Sequence, residues 1–192
     1  MPKPVSFKRK VFASKNGFNP YAGGRTPKGA ETRVRGYCLA MTCRWIKLSM
    51  QHGMEGSARV MDGRELLHIS IAQAVYLKCF PITNSPANST PEREKLVFDQ
   101  AGLKIKFDKS VDDTLDMDDI FDSAIYFNVL LPRHSVGIYF NRAMEQVFYF
   151  DPNYGLYEYD MEDMEDCLNH WGNYVNTDEE EKSIRMVHCV GR

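Results

Sequence analysis

A cysteine, a histidine and an aspartate can together carry out nucleophilic acyl chemistry, and Cys38, His134 and Asp151 are the candidates for such a set in this chain. The thiolate is the nucleophile, and a free thiol is only a few per cent ionised near neutral pH. Two devices lower a thiol pKa, the positive end of a helix and a neighbouring imidazolium. In G-Y-C-L-A-M-T-C-R-W, residues 36–45, Cys38 falls behind a glycine at the predicted first turn of a helix, which supplies the first device. Among the histidines, His52 lies at the far end of that helix and His68 within a helical apolar pattern. His170 adjoins Trp171 in a predicted last helix, and His188 lies in the closing strand. Those four read as structural or surface residues. His134 differs, because it opens a strand in R-H-S-V-G-I-Y-F, where Gly137 leaves room for another group to approach.

A third group should orient that imidazole. The following strand ends in D-P-N-Y-G, residues 151–155. If 136–140 and 147–151 form a hairpin across N-R-A-M-E-Q, pairing Phe140 with Val147 sets Val136 opposite Asp151. His134 then lies one diagonal away on the same face, at about 7–8 Å between backbones. A slip of one residue would send Asp151 to the other face. Asp151-Pro152 reads equally as a turn initiator, so the pattern alone leaves both readings open.

The elements that must position these residues fall into two halves. Residues 38–52 read as a helix, with Leu39, Cys43, Ile46 and Met50 on one face and His52-Gly53 as its stop. Trp45 is expected to pack behind that helix, and Cys43, Cys79, Cys167 and Cys189 are expected in the core. A helical pattern covers 62–79 up to Pro81, residues 83–91 form a loop, 92–101 suggest another helix, and 103–107 alternate like a strand. Runs at 124–131, 136–140 and 147–150 are rich in aromatic and β-branched residues and read as strands. After Gly155, Met161, Met164, Leu168 and Trp171 suggest a last helix, and 184–190 a closing strand. Helices first and strands later predict an α+β fold, with N-terminal helices packed on a C-terminal antiparallel sheet.

Composition bounds the function. With 192 residues, 43% hydrophobic, one sizeable core is expected. The expected division is a basic, partly disordered arm at 1–35 and a single catalytic domain at 36–192. Five cysteines show neither CxxC nor zinc-ligand spacing, which favours free thiols in a reducing compartment. The first residues lack the apolar core of a cleavable signal, and no run is long enough to span a membrane. Residues 1–37 carry nine Lys or Arg and one acid, Glu31, while the rest carries fifteen basic and twenty-five acidic residues, for a net −2. The arm reads first as a solvated leader, with weak contact to an anionic membrane surface as a second reading. Nucleic acid is disfavoured, because the acidic remainder would repel phosphate. The six aspartates of 112–122 do not make a calcium loop, since Met117 stands at the required glycine and no glutamate closes it. No metal or cofactor is expected.

In order and local sequence, Cys38 in G-Y-C-L-A-M-T-C-R-W, His134 in H-S-V-G-I-Y-F and Asp151 in F-Y-F-D-P-N-Y-G resemble the YopT/AvrPphB-type cysteine peptidases. These are papain-like enzymes that bacteria deliver into host cells, and the resemblance spans residues 30–190, with its most specific part in the His–Asp block. It implies a papain-like fold, Cys38 as nucleophile, His134 as general base and then acid, and Asp151 as its orienter. The Cys38 backbone N–H would bind the oxyanion. Papain-like enzymes commonly carry Gln or Asn five or six residues before the cysteine as a second oxyanion donor. Thr32 and Arg33 stand there in this chain, and either could donate.

The resemblance further implies secretion without a cleaved signal, action in the host cytoplasm and no cofactor. The host substrate would be the polybasic tail of a Rho-type GTPase or a kinase loop; the acidic core and the aspartates of 112–122 would suit a basic peptide, although keeping the protein soluble is the commoner role of such a cluster. The protein is expected to be a monomer. Autoprocessing within A-G-G-R-T-P-K-G would be compatible with the family, but no arm glycine has Ser or Thr four residues on for myristoylation. A papain-like glutamine deamidase or transglutaminase would use the same three residues and stays open as an alternative. A non-catalytic binding module, tolerant of Cys38→Ala, is a third.

Overall fold

The computed structural model describes residues 3–4, 38–57, 65, 67–69, 71–72, 91–110, 125–131, 134–152, 155–163 and 184–192. Seven strands form one sheet: β1 (Lys3–Pro4), β2 (Leu103–Ser110), β3 (Ile125–Leu131), β4 (His134–Asn141), β5 (Gln146–Asp151), β6 (Gly155–Asp160) and β7 (Arg185–Gly191). Among the described residues, α1 (Cys38–Ser57) and α2 (Pro91–Gln100) accompany them, and residues 65, 67–69 and 71–72 are also helical. The strand order is β1-β6-β5-β4-β3-β7-β2, and every neighbouring pair is antiparallel. The 83–90 loop, the aspartate cluster at 112–122 and most of the predicted helix over 62–79 lie outside the described residues. So do Thr32, Arg33, Cys79, Cys167, His170 and Trp171. No helix among the described residues is long and apolar enough to cross a membrane.

The aromatic runs form strands β3, β4 and β5, as their patterning predicts. Asn141 and Gln146 close the β4–β5 hairpin through a short 3-10 turn, Arg142–Met144, and Glu145 takes the left-handed conformation that ends it (φ 50°). The pairing Phe140↔Val147 is the register expected from sequence. One correction follows beyond Asp151. Residues 155–160 are a strand rather than the lead into a helix, and Met161–Asp163 is a 3-10 turn. The D-P-N-Y-G turn returns the chain antiparallel, with Asp151↔Gly155 as the first pair of the β5–β6 ladder. Lys3–Pro4 of the basic arm pairs with Glu158 and Tyr157 at the outer edge of β6.

Alternation sorts the strand residues into two apolar layers. Leu130, Phe148, Phe150, Leu156, Val187 and Cys189 cluster with α1, while Phe127, Val129, Val136, Ile138, Val147 and Tyr149 form a second cluster. A sheet buried on both faces explains why these strands read as continuous apolar runs. The helix itself is wider in its burial than the four-residue stripe suggested. Leu39 through Cys43, Trp45, Ile46, Leu48 and Ser49 are all buried, so α1 is a central helix rather than a surface one. It packs on β4, β3, β5 and β7 and also touches α2. Ile69 and Ala72, helical as the 62–79 pattern predicts, join the same core. Gly53 leaves the helical conformation at φ 62°, ψ −157°, where the helix stop was expected, and helical residues resume to Ser57.

Polar contacts pin the far end of the helix and the sheet edge. Lys47 Nζ donates to the Gly102 carbonyl at 3.0 Å, and Arg44 pairs with Glu65. Arg185 on β7 forks across Asp108 of β2, donating from Nε at 2.9 Å, and reaches the buried Glu94 of α2 at 2.8 Å. A buried carboxylate needs such a partner, because an unpaired charge there is strongly unfavourable.

Candidate active site

α1 begins at Cys38, as the sequence predicts, so the thiol lies in the first turn where backbone N–H groups point outward and the dipole is positive. His134 is the first residue of β4, and Asp151 is the last of β5. Extending the observed ladder one step past Gly137↔Phe150 sets Val136 opposite Asp151, with His134 diagonal to it. The side chains close that diagonal: His134 Nε2 lies 3.0 Å from Asp151 Oδ1. Both are nearly inaccessible, at 3% and 1% side-chain exposure. A carboxylate can only accept, so Nε2–H donates to it, which leaves Nδ1 for the thiol. His134 also hydrogen-bonds Cys38. The structure therefore brings Cys38, His134 and Asp151 together, while Thr32 and Arg33 lie outside the described residues.

Burial of His134 disfavours its charged form, but hydrogen bonds to Asp151 and then Cys38 outweigh it and push the imidazole pKa up to about 9. A cationic ring next to a thiol stabilises the thiolate, and the same ring holds the proton that a leaving group later needs. The stability consequence has a definite sign. A histidine whose folded pKa is raised contributes fully below its unfolded value of about 6.5 and loses that contribution as pH rises through about 9. The melting temperature is thus expected to fall between about pH 6.5 and pH 9, by an amount worth at most on the order of 3 kcal/mol. Asp151→Asn, whose amide oxygen still accepts from Nε2–H but carries no charge, should flatten that fall. Thermal melts of both proteins across this range check it; an unchanged slope in the variant would sever the pair from the pH dependence.

The other titratable residues stand apart. His52 and His68 are exposed, and His188 is half-buried against Phe107 and Phe127, at 5.1 and 5.4 Å between ring centroids. Burial, then Lys106, lowers the His188 pKa. Cys43 and Cys189 are core residues, as expected, and burial raises both thiols. Among the described residues no group of His, Cys, Asp and Glu could hold a metal ion.

Trp45 lies between α1 and the sheet, fully buried and stacked on Phe150 at 5.2 Å and 10°. The room left by Gly137 is filled by this ring: a Cβ at Gly137 would sit 2.5 Å from two Trp45 ring carbons. Sequence reading missed one further set of residues. Asn128 and Ser135 are buried polar residues on β3 and β4, and they join Thr42 and Cys43 of α1 in a hydrogen-bonded group beside the site. The signal was present as a lone Asn inside the apolar run A-I-Y-F-N-V-L-L.

The fold has solved relatives. The Pseudomonas avirulence protein AvrPphB is similar at a TM-score of 0.57, with 15% identity, over 80% of this chain and 91% of that one. The ubiquitin-specific protease encoded by murine cytomegalovirus tegument protein M48 gives a TM-score of 0.47 with 14% identity, over 82% of this chain and 78% of that one. No family model matches the sequence, and neither does any curated protein. The chain shares the fold of AvrPphB, which is α+β around a large antiparallel sheet.

Proposed function

We propose that the protein is a cysteine endopeptidase of the YopT/AvrPphB type, acting on a host protein after bacterial delivery into the host cytoplasm. The observation that carries this reading is the buried 3.0 Å contact from His134 to Asp151, with Cys38 hydrogen-bonded to the same ring at a helix start. The Cys38 thiolate attacks a peptide carbonyl, and the carbonyl oxygen takes the Cys38 backbone N–H as one oxyanion donor. His134 gives its proton to the leaving amine, which departs as the thioester forms. His134 then accepts a proton from water as that water attacks the thioester, and the thiolate returns. Asp151 holds the ring with Nε2 bonded and Nδ1 turned toward sulphur throughout.

The likeness of fold to a Pseudomonas avirulence protein supports the host setting. Rho-type GTPase tails and kinase loops are the substrate classes that the family resemblance suggests. Incubating the purified chain with a eukaryotic cell lysate and sequencing new protein N-termini by mass spectrometry tests the reading, with Cys38→Ala as control. New N-termini that require Cys38 are the expected result. A gain of one dalton or an amine adduct at glutamine, without new N-termini, would replace the endopeptidase reading by the deamidase or transglutaminase one. Identical lysates with both proteins would overturn it.

A further inference from the structure

Four residues join the helix that carries Cys38 to the strand that begins at His134. Thr42 lies four residues beyond Cys38, one helical turn along α1, and its hydroxyl donates to the Ser135 carbonyl at 3.1 Å. Ser135 follows His134 directly, and its own hydroxyl donates to Asn128 Oδ1 at 2.8 Å. Asn128 Nδ2 in turn donates to Cys43 Sγ at 3.4 Å, back on α1. Thr42, Cys43 and Asn128 are fully buried and Ser135 is 1% exposed. Around this group the helix–sheet contact is apolar, with Trp45 against Gly137 and Phe150.

Apolar packing alone resists sliding weakly, because a small translation exchanges one van der Waals contact for another. Buried hydrogen bonds behave differently. Shifting α1 along β4 would strand the Thr42 hydroxyl, the Ser135 carbonyl and the Asn128 amide together, and each stranded group is unfavourable in a dry interior. Such a group therefore sets the register of one element on another. The register at issue is the separation of Cys38 from His134, since Thr42 lies one turn from Cys38 and Ser135 adjoins His134.

We propose that Thr42, Ser135 and Asn128 are positioning residues, which hold α1 in the one register on β4 that lets the Cys38 thiol meet the His134 imidazole. This rests on the endopeptidase reading of that pair. They act through the helix and the two strands that they join. A misplacement of about 1 Å in reacting groups lowers rates on the order of 100-fold, so a modest loosening of the clamp has a measurable consequence.

The test uses the full chain and iodoacetamide, with alkylation of each cysteine followed by mass spectrometry across pH. Thr42→Val keeps the shape of the side chain and removes its donor; Thr42→Ser restores the donor. The expected result is a drop of about tenfold in Cys38 alkylation on the acidic side for Thr42→Val. Recovery is expected in Thr42→Ser, and Cys43 stays protected in both. A merely structural role would lower the melting temperature and leave the Cys38 pH profile where it was, which would overturn the proposal. Ser135→Ala, which retains the carbonyl used by Thr42, is the second variant should Thr42→Val not fold, and it is read in the same way. If wild-type Cys38 behaves as an ordinary thiol, indifferent to His134→Ala, the catalytic reading and this proposal fall together. If wild type depends on His134 and both clamp variants match it, the positioning proposal alone falls.

Discussion

Replacing His134 by alanine should slow Cys38 alkylation on the acidic side and steepen its rise with pH, because the imidazolium beside the thiol is lost. An ordinary thiol with a pKa of about 8.5 is ionised to only about 0.03% at about pH 5, so its rate follows the thiolate fraction closely. A thiolate paired with an imidazolium is formed already, so its rate changes little over the same range. The imidazolium is available here because Asp151 and Cys38 hold the His134 pKa up to about 9 against the effect of burial. The diagnostic quantity is the slope rather than the height. A thiolate of low pKa is intrinsically a weaker nucleophile, so some of the gain in its population is lost in reactivity. Cys43 and Cys189, buried and with raised pKa values, serve as internal references that stay unalkylated in the folded protein. Peptide-bond cleavage should respond more steeply still. On the proposed endopeptidase reading, Cys38→Ala and His134→Ala each remove a member of a unit that acts together, and turnover is expected to fall by on the order of 10⁴ or more in either. A wild-type profile indistinguishable from that of His134→Ala would overturn the proposed function.

Gly137→Ala is expected to destabilise the protein although it adds a single methyl group. An added Cβ would meet two ring carbons of Trp45 at 2.5 Å and the Thr42 methyl at 3.3 Å. Real Cβ atoms do not sit at 2.5 Å from carbon, so the ring or the strand must move. Trp45 has nowhere to go, because it is fully buried and stacked on Phe150, the cross-strand neighbour of Gly137. Overpacking of this kind typically costs about 1–3 kcal/mol, which for a chain of this size lowers the melting temperature by roughly 2–12 °C. Trp45→Leu in the Gly137→Ala background should recover part of that loss, although Trp45→Leu alone destabilises by opening a cavity. A double-mutant cycle of denaturant midpoints measures the coupling. Additive losses would show that the ring and the glycine do not compete for the same space. The variant also bears on function, because α1 pushed off β4 separates Cys38 from His134.

Several features were legible in the sequence because their determinants are local. The helix start at Cys38 follows from a glycine-led switch to helical spacing. The β4–β5 register follows from a short connection between two aromatic runs, and a slip by one residue would move Phe140 and Val147 to the opposite layer of the sheet. That register alone puts His134 and Asp151 on one face, which is why their contact could be anticipated. Strand β6 was missed because L-Y-E-Y-D is short and its alternation runs into the acidic residues that follow, so nothing in its pattern outweighs the helical spacing further on. The turn at Asp151 held the clue, since a tight turn after a strand usually returns the chain beside it.

What only the tertiary structure decided are the contacts between distant segments. Pairing of β3 with β7, and of β7 with β2, leaves no trace in local pattern, because strands buried on both faces look alike whichever neighbour they take. The clamp of Thr42, Ser135 and Asn128 is likewise invisible along the chain: each is an ordinary polar residue until packing removes water from all three at once. The sequence by itself determined, through turns and periodicity, that His134 and Asp151 share a strand face and that Cys38 opens a helix. Folding decided that a thiol at the head of one helix meets an imidazole at the head of a distant strand. That meeting depends on close packing of Trp45 on Gly137 and on buried hydrogen bonds that form in only one register.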